Sequence, residues 1–322
     1  MKTIIFGGAG FIGSALAAKL HLEGHNVTVF DSLYTGKLEN LAKLPGKKGF
    51  SFVKGDVRDL ESVKKAMAGH EFVYHLAANA DIRGGMENTF LDFDYNAIST
   101  YKVLEAMRLC DVKKIAFTSS SAVYGEPGVF PTPETHGPLC PTSLYGASKL
   151  AAEAYVSAFC EDFGMQAWVF RFVNILGAGN NHGVVGDFIR KLKANPKKLA
   201  ILGNGKQRKS SVHISDCLAG IDAGVKAGNG RTNIYNIGND DWVYVDDIAD
   251  EVCAAMGLKN VEYAHTGGER GWTGDMPFVF LDNRKLRATG WKPALNSRQS
   301  VRRAAEEALA SQSIEDKHKK HF

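Results

Sequence analysis

The chain's 322 residues, 44% of them hydrophobic, are enough to bury a full core and allow two domains or one with a lobe. A formal charge of +4 is spread thinly, apart from the terminal Lys317-His318-Lys319-Lys320-His321, which reads as a solvated tail and leaves no nucleic-acid footprint. Five scattered cysteines without a C-x-x-C pair, no long apolar run and an N-terminus that enters a strand at once argue against disulfides, structural zinc, a membrane span and a signal peptide, so a soluble cytoplasmic protein is expected.

Lys2-Thr3-Ile4-Ile5-Phe6 reads as an apolar strand running into Gly7-Gly8-Ala9-Gly10-Phe11-Ile12-Gly13. Gly7 permits a tight turn, Gly10 a close approach of backbone to a pyrophosphate, and Gly13 close packing of the following helix on a sheet. The helix start at Phe11 and Ile12 supplies free N–H groups and a positive dipole end. Ile12, Leu16 and Leu20 are spaced to bury one helix face. Val27-Thr28-Val29-Phe30 reads as the second strand, with Asp31 at its end. A carboxylate there accepts hydrogen bonds from adenosine ribose hydroxyls and repels a 2′-phosphate, so NAD is expected over NADP. The strand Phe52-Val53-Lys54 ends in Gly55-Asp56-Val57, which places Asp56 and Val57 to meet the adenine edge. Phe72 to Ala78 is a strand whose end, Leu76-Ala77-Ala78, lets the backbone run close to the same cofactor. His75 sits in an apolar strand with no second ligand at metal spacing, so it reads as a packed core histidine, and no metal is expected.

Lys114-Ile115-Ala116-Phe117-Thr118 reads as a further strand, followed by Ser119-Ser120-Ser121-Ala122-Val123-Tyr124-Gly125. Serines at the carboxyl end of a strand lie where open α/β sheets bind ligands. Tyr145 and Lys149 stand at i and i+4 and project from one helix face. A phenol is a poor base, with a reference pKa of about 10. A neighbouring ammonium lowers that value, so Tyr145 can take a hydroxyl proton as hydride leaves. Lys149 has further donors for the nicotinamide ribose. Ser120 is the candidate hydroxyl that orients the substrate oxygen. Together these residues point to reversible hydride removal from an alcohol. Strand and helix patterns alternate to about residue 175, which predicts an α/β, doubly wound parallel sheet. Asn233 to Ile237 reads as a returning strand and Val245 to Met256 as an amphipathic helix.

The segments Gly7–Gly13, His75-Leu76-Ala77-Ala78, Ser119–Gly125 and Tyr145-Gly146-Ala147-Ser148-Lys149 resemble the extended short-chain dehydrogenase/reductase family. Within it they are most similar to NAD-dependent nucleotide-sugar epimerases and dehydratases of the UDP-glucose 4-epimerase kind, from residue 1 to about residue 305. The resemblance implies a Rossmann NAD domain over 1–175 with its returning strand near 233–237, and a smaller, interleaved, mainly nucleotide-sugar-binding lobe over 176–322. It places the catalytic set on Ser120, Tyr145 and Lys149, with Ser120 and Ser121 also meeting the sugar. It further implies that Asn174, in Arg171–Gly177, meets the sugar diphosphate. Arg208 or Lys209 grips phosphate, and Arg270 and Asp275, in Gly268–Asp275, close over the nucleotide. Arg83, in the segment bordering the sugar pocket, pairs with a substrate carboxylate or phosphate, or makes a structural salt bridge. UDP-sugars are the favoured substrates. A homodimer is expected through the apolar faces of helices around Phe93–Leu109 and Tyr145–Phe163. Dehydratases of the family carry an Asp-Glu pair where this chain has Ser121 and Ala122, so a 4-epimerase working through a 4-keto sugar is the expected activity. Decarboxylation of a nucleotide-linked uronic acid, 4,6-dehydration and non-catalytic NAD binding are the alternatives.

Overall fold

Continuous apolar runs in the N-terminal half form strands that are buried on both faces, as a parallel sheet with helices on each side requires. The computed structural model describes the chain except Lys43, Pro45, Ala80, Ile82, Arg83, Asn181, His182 and 320–322, and for 312–319 it describes the backbone alone. Two compact units emerge. One comprises Met1–Gly125, Gly137–Arg171 and Ile221–Tyr235; the other comprises Glu126–His136, Phe172–Gly220 and Asn236–Phe322.

The first unit is built on seven strands: β1 (Lys2–Phe6), β2 (Asn26–Asp31), β3 (Phe50–Lys54), β4 (Phe72–His75), β5 (Lys114–Ser120), β6 (Gln166–Phe172) and β7 (Thr232–Ile237). Their order is β7-β6-β5-β4-β1-β2-β3. The sheet is parallel, with Ile4 in register with Thr28 on one side and Val73 on the other. The chain winds outward from β1 to β3, then returns to place β4 on the other side of β1. That reversal is the topological switch point at which open sheets of this kind bind ligands. It puts the ends of β1 and β4, and hence Gly7–Gly13 and Leu76–Ala78, at the position the fold reserves for a ligand.

Four helices of this unit bear on the site: α1 (Phe11–Leu22), α2 (Leu60–Met67), α3 (Ser99–Leu109) and α4 (Leu144–Phe163). Val103, Leu104 and Met107 of α3 share a core with Val156 and Cys160 of α4 and with Ile115 and Phe117 of β5. In α1 the buried face is Gly13, Leu16, Ala17 and Leu20, while Ile12 stays partly exposed. The face is turned one residue from the expected one because Gly13 itself is pressed against the strand end. A Cβ there would lie 2.2 Å from the Gly7 carbonyl oxygen. The helix expected from Phe93 is also altered: Phe93–Ile98 forms a π-helical turn before α3 begins. The wider turn swings the buried Asn96 side chain inward, where it accepts from Asn79 N and donates to Ser148.

The stretch Arg171–Gly177 is not one strand. The chain leaves β6 at Phe172, and Asn174–Leu176 pairs in parallel with Ser211–His213. Arg208–Lys209, Val243–Tyr244 and Phe278–Val279 make a small second sheet. Helices Val184–Ala194, Val245–Ala255 and Ser297–Lys319 close a separate core around Ile189, Leu192, Ile248, Val252 and Val301. Among the described residues no helix is long and apolar enough to cross a membrane.

Candidate active site

Gly7 adopts φ 79°, and a Cβ on it would meet Ala77 N at 2.5 Å. Only glycine combines that backbone with that contact. The switch-point loops therefore touch through backbone alone. Gly10 caps α1 without any side-chain hydrogen bond, and the first turn carries no acidic residue. Helix N–H groups and the positive dipole end are left available to an anion. Leu76, Ala77 and Ala78 are half-buried beside this turn, and Leu76 N donates to Phe6 O at 2.9 Å. Asp31, 8% exposed, accepts from Ala9 N at 2.9 Å through Oδ2 and from Leu33 N at 2.8 Å through Oδ1. It thus ties the glycine turn to the end of β2, a task its position in the sequence did not suggest. Each carboxylate oxygen keeps a lone pair for a ribose hydroxyl. A side-chain-free cradle, an uncapped helix start and a neighbouring carboxylate fit a dinucleotide such as NAD.

The side chains of Asp56 and Val57 have other occupations. Arg58 clasps Asp56 with Nη2 at 2.7 Å and Nε at 3.0 Å, reaches Asp94 with Nη1 at 2.9 Å and lies 4.1 Å over the Tyr95 ring. The guanidinium hydrogen bonds hold the Asp56 carboxyl below its usual range. Val57 belongs to the core.

Ser120, Tyr145 and Lys149 come together in the first unit. Ser120 ends β5 and caps the short 3-10 turn Ser121–Tyr124, its Oγ accepting from Ala122 N at 3.2 Å. Tyr145 and Lys149 lie in the first turns of α4, which Ser143 caps through Gly146 N at 3.1 Å. The Ser120 side chain acts on the Tyr145 hydroxyl, favouring its ionised form. Burial pushes Tyr145 up to about 12, with Ser120 pulling the other way and Asp92 adding to the rise. The expected lowering of Tyr145 by Lys149 is not what governs it here; desolvation does. Lys149 is 2% exposed, and its Nζ donates to the Thr118 carbonyl at 2.9 Å. Burial lowers it to about 8 against the pull of Glu153 and Asp92. Ser121 and Ala122 are buried, at 7% and 8% exposure.

Beneath the pair lies a polar network with no sequence motif to announce it. Glu153, one turn after Lys149, accepts from Arg171 Nη2 at 2.7 Å and Nε at 3.0 Å and from the Ser119 hydroxyl. Arg171 also donates to the Tyr124 hydroxyl at 2.9 Å. Asn96 Nδ2 donates to Ser148 Oγ at 2.9 Å, and Ser148 Oγ donates to the Tyr145 carbonyl at 2.8 Å. His75 is fully buried against Phe6 and Phe117, with Nε2 on Thr100 Oγ1 at 3.0 Å. Desolvation, helped by the Lys149 charge, pushes it down to about 3, so it is a neutral core residue, as expected.

The other expected substrate residues lie in the second unit, apart from Arg83, which is outside the described residues. Asn174 is exposed at the start of its short strand. Lys209 Nζ pairs with Asp275 Oδ1 at 2.7 Å, and Gly271 N donates to Asp275 Oδ2 at 3.0 Å. Arg270 pairs with Glu126 and donates to the Asp275 carbonyl at 2.9 Å. Arg208 differs: its guanidinium lies 3.6 Å from the Phe278 ring centroid and 5.4 Å from that of Trp242. Among the described residues no carboxylate pairs with it.

Comparison with known proteins agrees with this geometry. Residues 3–238 match the NAD dependent epimerase/dehydratase family. A putative UDP-glucose 4-epimerase from Methanocaldococcus jannaschii is 32% identical over 93% of this chain and 96% of its own. A crystal structure of UDP-galactose 4-epimerase superposes with a TM-score of 0.85 at 34% identity, covering 97% of this chain and 99% of the other. The UDP-glucose 4-epimerase of Thermus thermophilus, solved in complex with NAD, gives 0.84 at 31% identity over 95% and 98%.

Proposed function

This chain belongs to the NAD dependent epimerase/dehydratase family, and we propose that within it the protein is a 4-epimerase of a nucleotide-diphosphate sugar, with UDP-hexoses as substrates. The observation that carries this reading is the placing of Tyr145 with the buried Lys149 one helical turn on and Ser120 acting on the phenol, beside a 3-10 turn whose Ser121 and Ala122 offer no carboxyl group. Oxidation and re-reduction at one carbon need only a proton acceptor and donor, a cation and an orienting hydroxyl. Elimination of water needs a further acid and base.

In this reading Gly7–Gly13 and Asp31 would hold NAD, which would supply the acceptor, and then the donor, of a hydride at the sugar C4. Tyr145 Oη takes the C4 hydroxyl proton and gives it back to the 4-keto oxygen. Ser120 Oγ donates a hydrogen bond to that oxygen and orients it. In this reading the Lys149 ammonium favours the phenolate as the proton is passed, against the desolvation that raises Tyr145. The remaining donors of Lys149 suit ribose hydroxyls. Within the second unit, Arg208 suits a diphosphate best, because its guanidinium is stacked on rings and pairs with no carboxylate among the described residues. Tyr101, Leu109, Tyr155 and Phe163 expose apolar surface on α3 and α4, at 42%, 47%, 48% and 38%. We assign that surface to a homodimer contact, which light scattering at micromolar concentration tests by mass. A cytoplasmic setting suits free cysteines such as the exposed Cys140.

The activity is tested by incubating the purified protein with a panel of UDP-sugars and separating the products. The reading expects interconversion of C4 epimers without net consumption of NAD. Release of water or carbon dioxide, or no conversion of any UDP-sugar, contradicts it.

A further inference from the structure

The segment after β2 is built as a strap. Asp31 Oδ1 accepts from Leu33 N at 2.8 Å, and Leu33 adopts φ 63°, a backbone that residues other than glycine seldom take. Farther on, Lys37 N and Asn40 Nδ2 both donate to Ala9 O, at 3.1 and 2.8 Å, which fastens the strap to the glycine turn. Between these ties stands Tyr34, 68% exposed. Its ring stacks on that of Tyr95, with centroids 5.5 Å apart and planes at 30°.

Tyr95 is itself anchored. It lies in the π-helical turn Phe93–Ile98, and such turns gather at functional sites. Arg58 lies 4.1 Å over its ring, pairs with the neighbouring Asp94 at 2.9 Å and clasps Asp56 at 2.7 Å. Asp56 follows Gly55, whose N–H donates to Asp31 O at 3.1 Å. The contacts therefore close on themselves. They run from Asp31 along the strap to Tyr34, across the rings to Tyr95 and Arg58, and through Asp56 back to the end of β2.

This circuit bounds the space beyond the ends of β2 and β3. A dinucleotide with its pyrophosphate on Gly7–Gly13 and its ribose at Asp31 carries its adenosine into that space. The other joints of the circuit are covalent, hydrogen-bonded or charged. The joint between Tyr34 and Tyr95 is a contact of ring faces at an exposed residue, so it is the one that parts at least cost.

We propose that Tyr34 and Tyr95 form a latch on the adenosine end of the dinucleotide site, which retains the bound cofactor and must part before it leaves. The latch touches none of the reacting atoms. A reaction that returns the hydride it removed needs the same cofactor again at once, and slow release serves it. The inference rests on Gly7–Gly13 and Asp31 holding NAD and is independent of which sugar is turned over.

The test uses no sugar. NADH bound to the protein is chased with excess NAD, and release is followed by the loss of bound-NADH fluorescence. Loss of a ring pair of this kind should speed release about 2- to 10-fold in Tyr34→Ala, with the thermal midpoint retained. Tyr34→Phe keeps the ring and should release at the wild-type rate. Tyr95→Leu removes the other ring. The double variant Tyr34→Ala/Tyr95→Leu should release no faster than the faster single one, since both changes break one contact. Unchanged release in folded Tyr34→Ala, or single effects that multiply in the double variant, overturns the proposal. If Tyr34→Ala does not fold, the release rate of Tyr95→Leu decides by the same criterion. A wild type that holds no NADH overturns the cofactor reading and the latch with it; NADH held, and released at one rate by every variant, overturns the latch alone.

Discussion

Two lysines in this protein, Lys149 and Lys209, are both sheltered from water, yet their surroundings differ. Lys209 pairs directly with Asp275 at 2.7 Å, and the two side chains are 13% and 12% exposed. Its charge is spent inside the second unit, pinning the turn that carries Arg270. Lys149 is more deeply buried and hydrogen-bonds a neutral carbonyl, Thr118, with its carboxylate neighbours not bonded to it. A paired lysine holds structure together. A desolvated one with donors to spare is costly to the fold and useful to a ligand. The same contrast separates Arg270, which is ion-paired, from Arg208, which is stacked on rings.

The largest effect should come from the phenol beside Lys149. Tyr145→Phe keeps the ring and removes the proton-carrying oxygen, so turnover should fall roughly 10²–10⁴-fold while NAD binding and folding persist. Retained turnover would move the proton transfer to another group. Arg171→Met leaves Glu153 buried without its cation, and denaturant unfolding should show a loss of about 3–5 kcal/mol. The double variant Arg171→Met/Glu153→Leu should recover much of that loss, because no charge is then left stranded.

The two lysines themselves should respond in opposite ways. Lys209→Met breaks a hydrogen-bonded charge pair and should cost about 1.5–3 kcal/mol of stability. Lys149→Met should abolish turnover without that loss. Its folded value, about 8, lies below the 10.5 of a free lysine. The unfolded chain therefore holds the proton more tightly, and this group makes stability climb as pH rises from about 8 to about 10.5. That part of the pH slope should vanish in Lys149→Met, as read from urea midpoints across the interval. The smallest effect concerns Arg208. Arg208→Ala should raise KM for a UDP-sugar and leave kcat and the thermal midpoint near wild type. If Lys209→Met produces that pattern instead, the phosphate contact belongs to Lys209.

The residues legible in the sequence were those whose job is local. Gly7 and Gly13 are required by contacts within a few residues or with the adjacent strand, and Asp31 closes the strand beside them. Tyr145 and Lys149 share one helix face. Residues whose partners are distant gave no such signal. Asp275 stands 66 residues from Lys209, and Arg171 lies 18 from Glu153 and 47 from Tyr124. Nothing near them in sequence announces these pairs. Asn96 interrupts what reads as one apolar helix face from Phe93, and the π-helical turn Phe93–Ile98 is what buries its polar side chain. The break at Val173 was hidden for a related reason. Arg171–Gly177 is apolar enough for one strand, but its second half pairs with Ser211–His213 in another sheet.

The central claim is that hydride leaves and returns to one carbon while Tyr145 moves one proton. It is tested most directly with a UDP-hexose carrying deuterium at C4, incubated with the enzyme in ordinary water and analysed by NMR. The account predicts a C4 epimer that retains the deuterium at C4, with none at C5 and NAD unchanged in amount. Loss of the label to water, its appearance elsewhere in the sugar, or release of water or carbon dioxide from the substrate would contradict it.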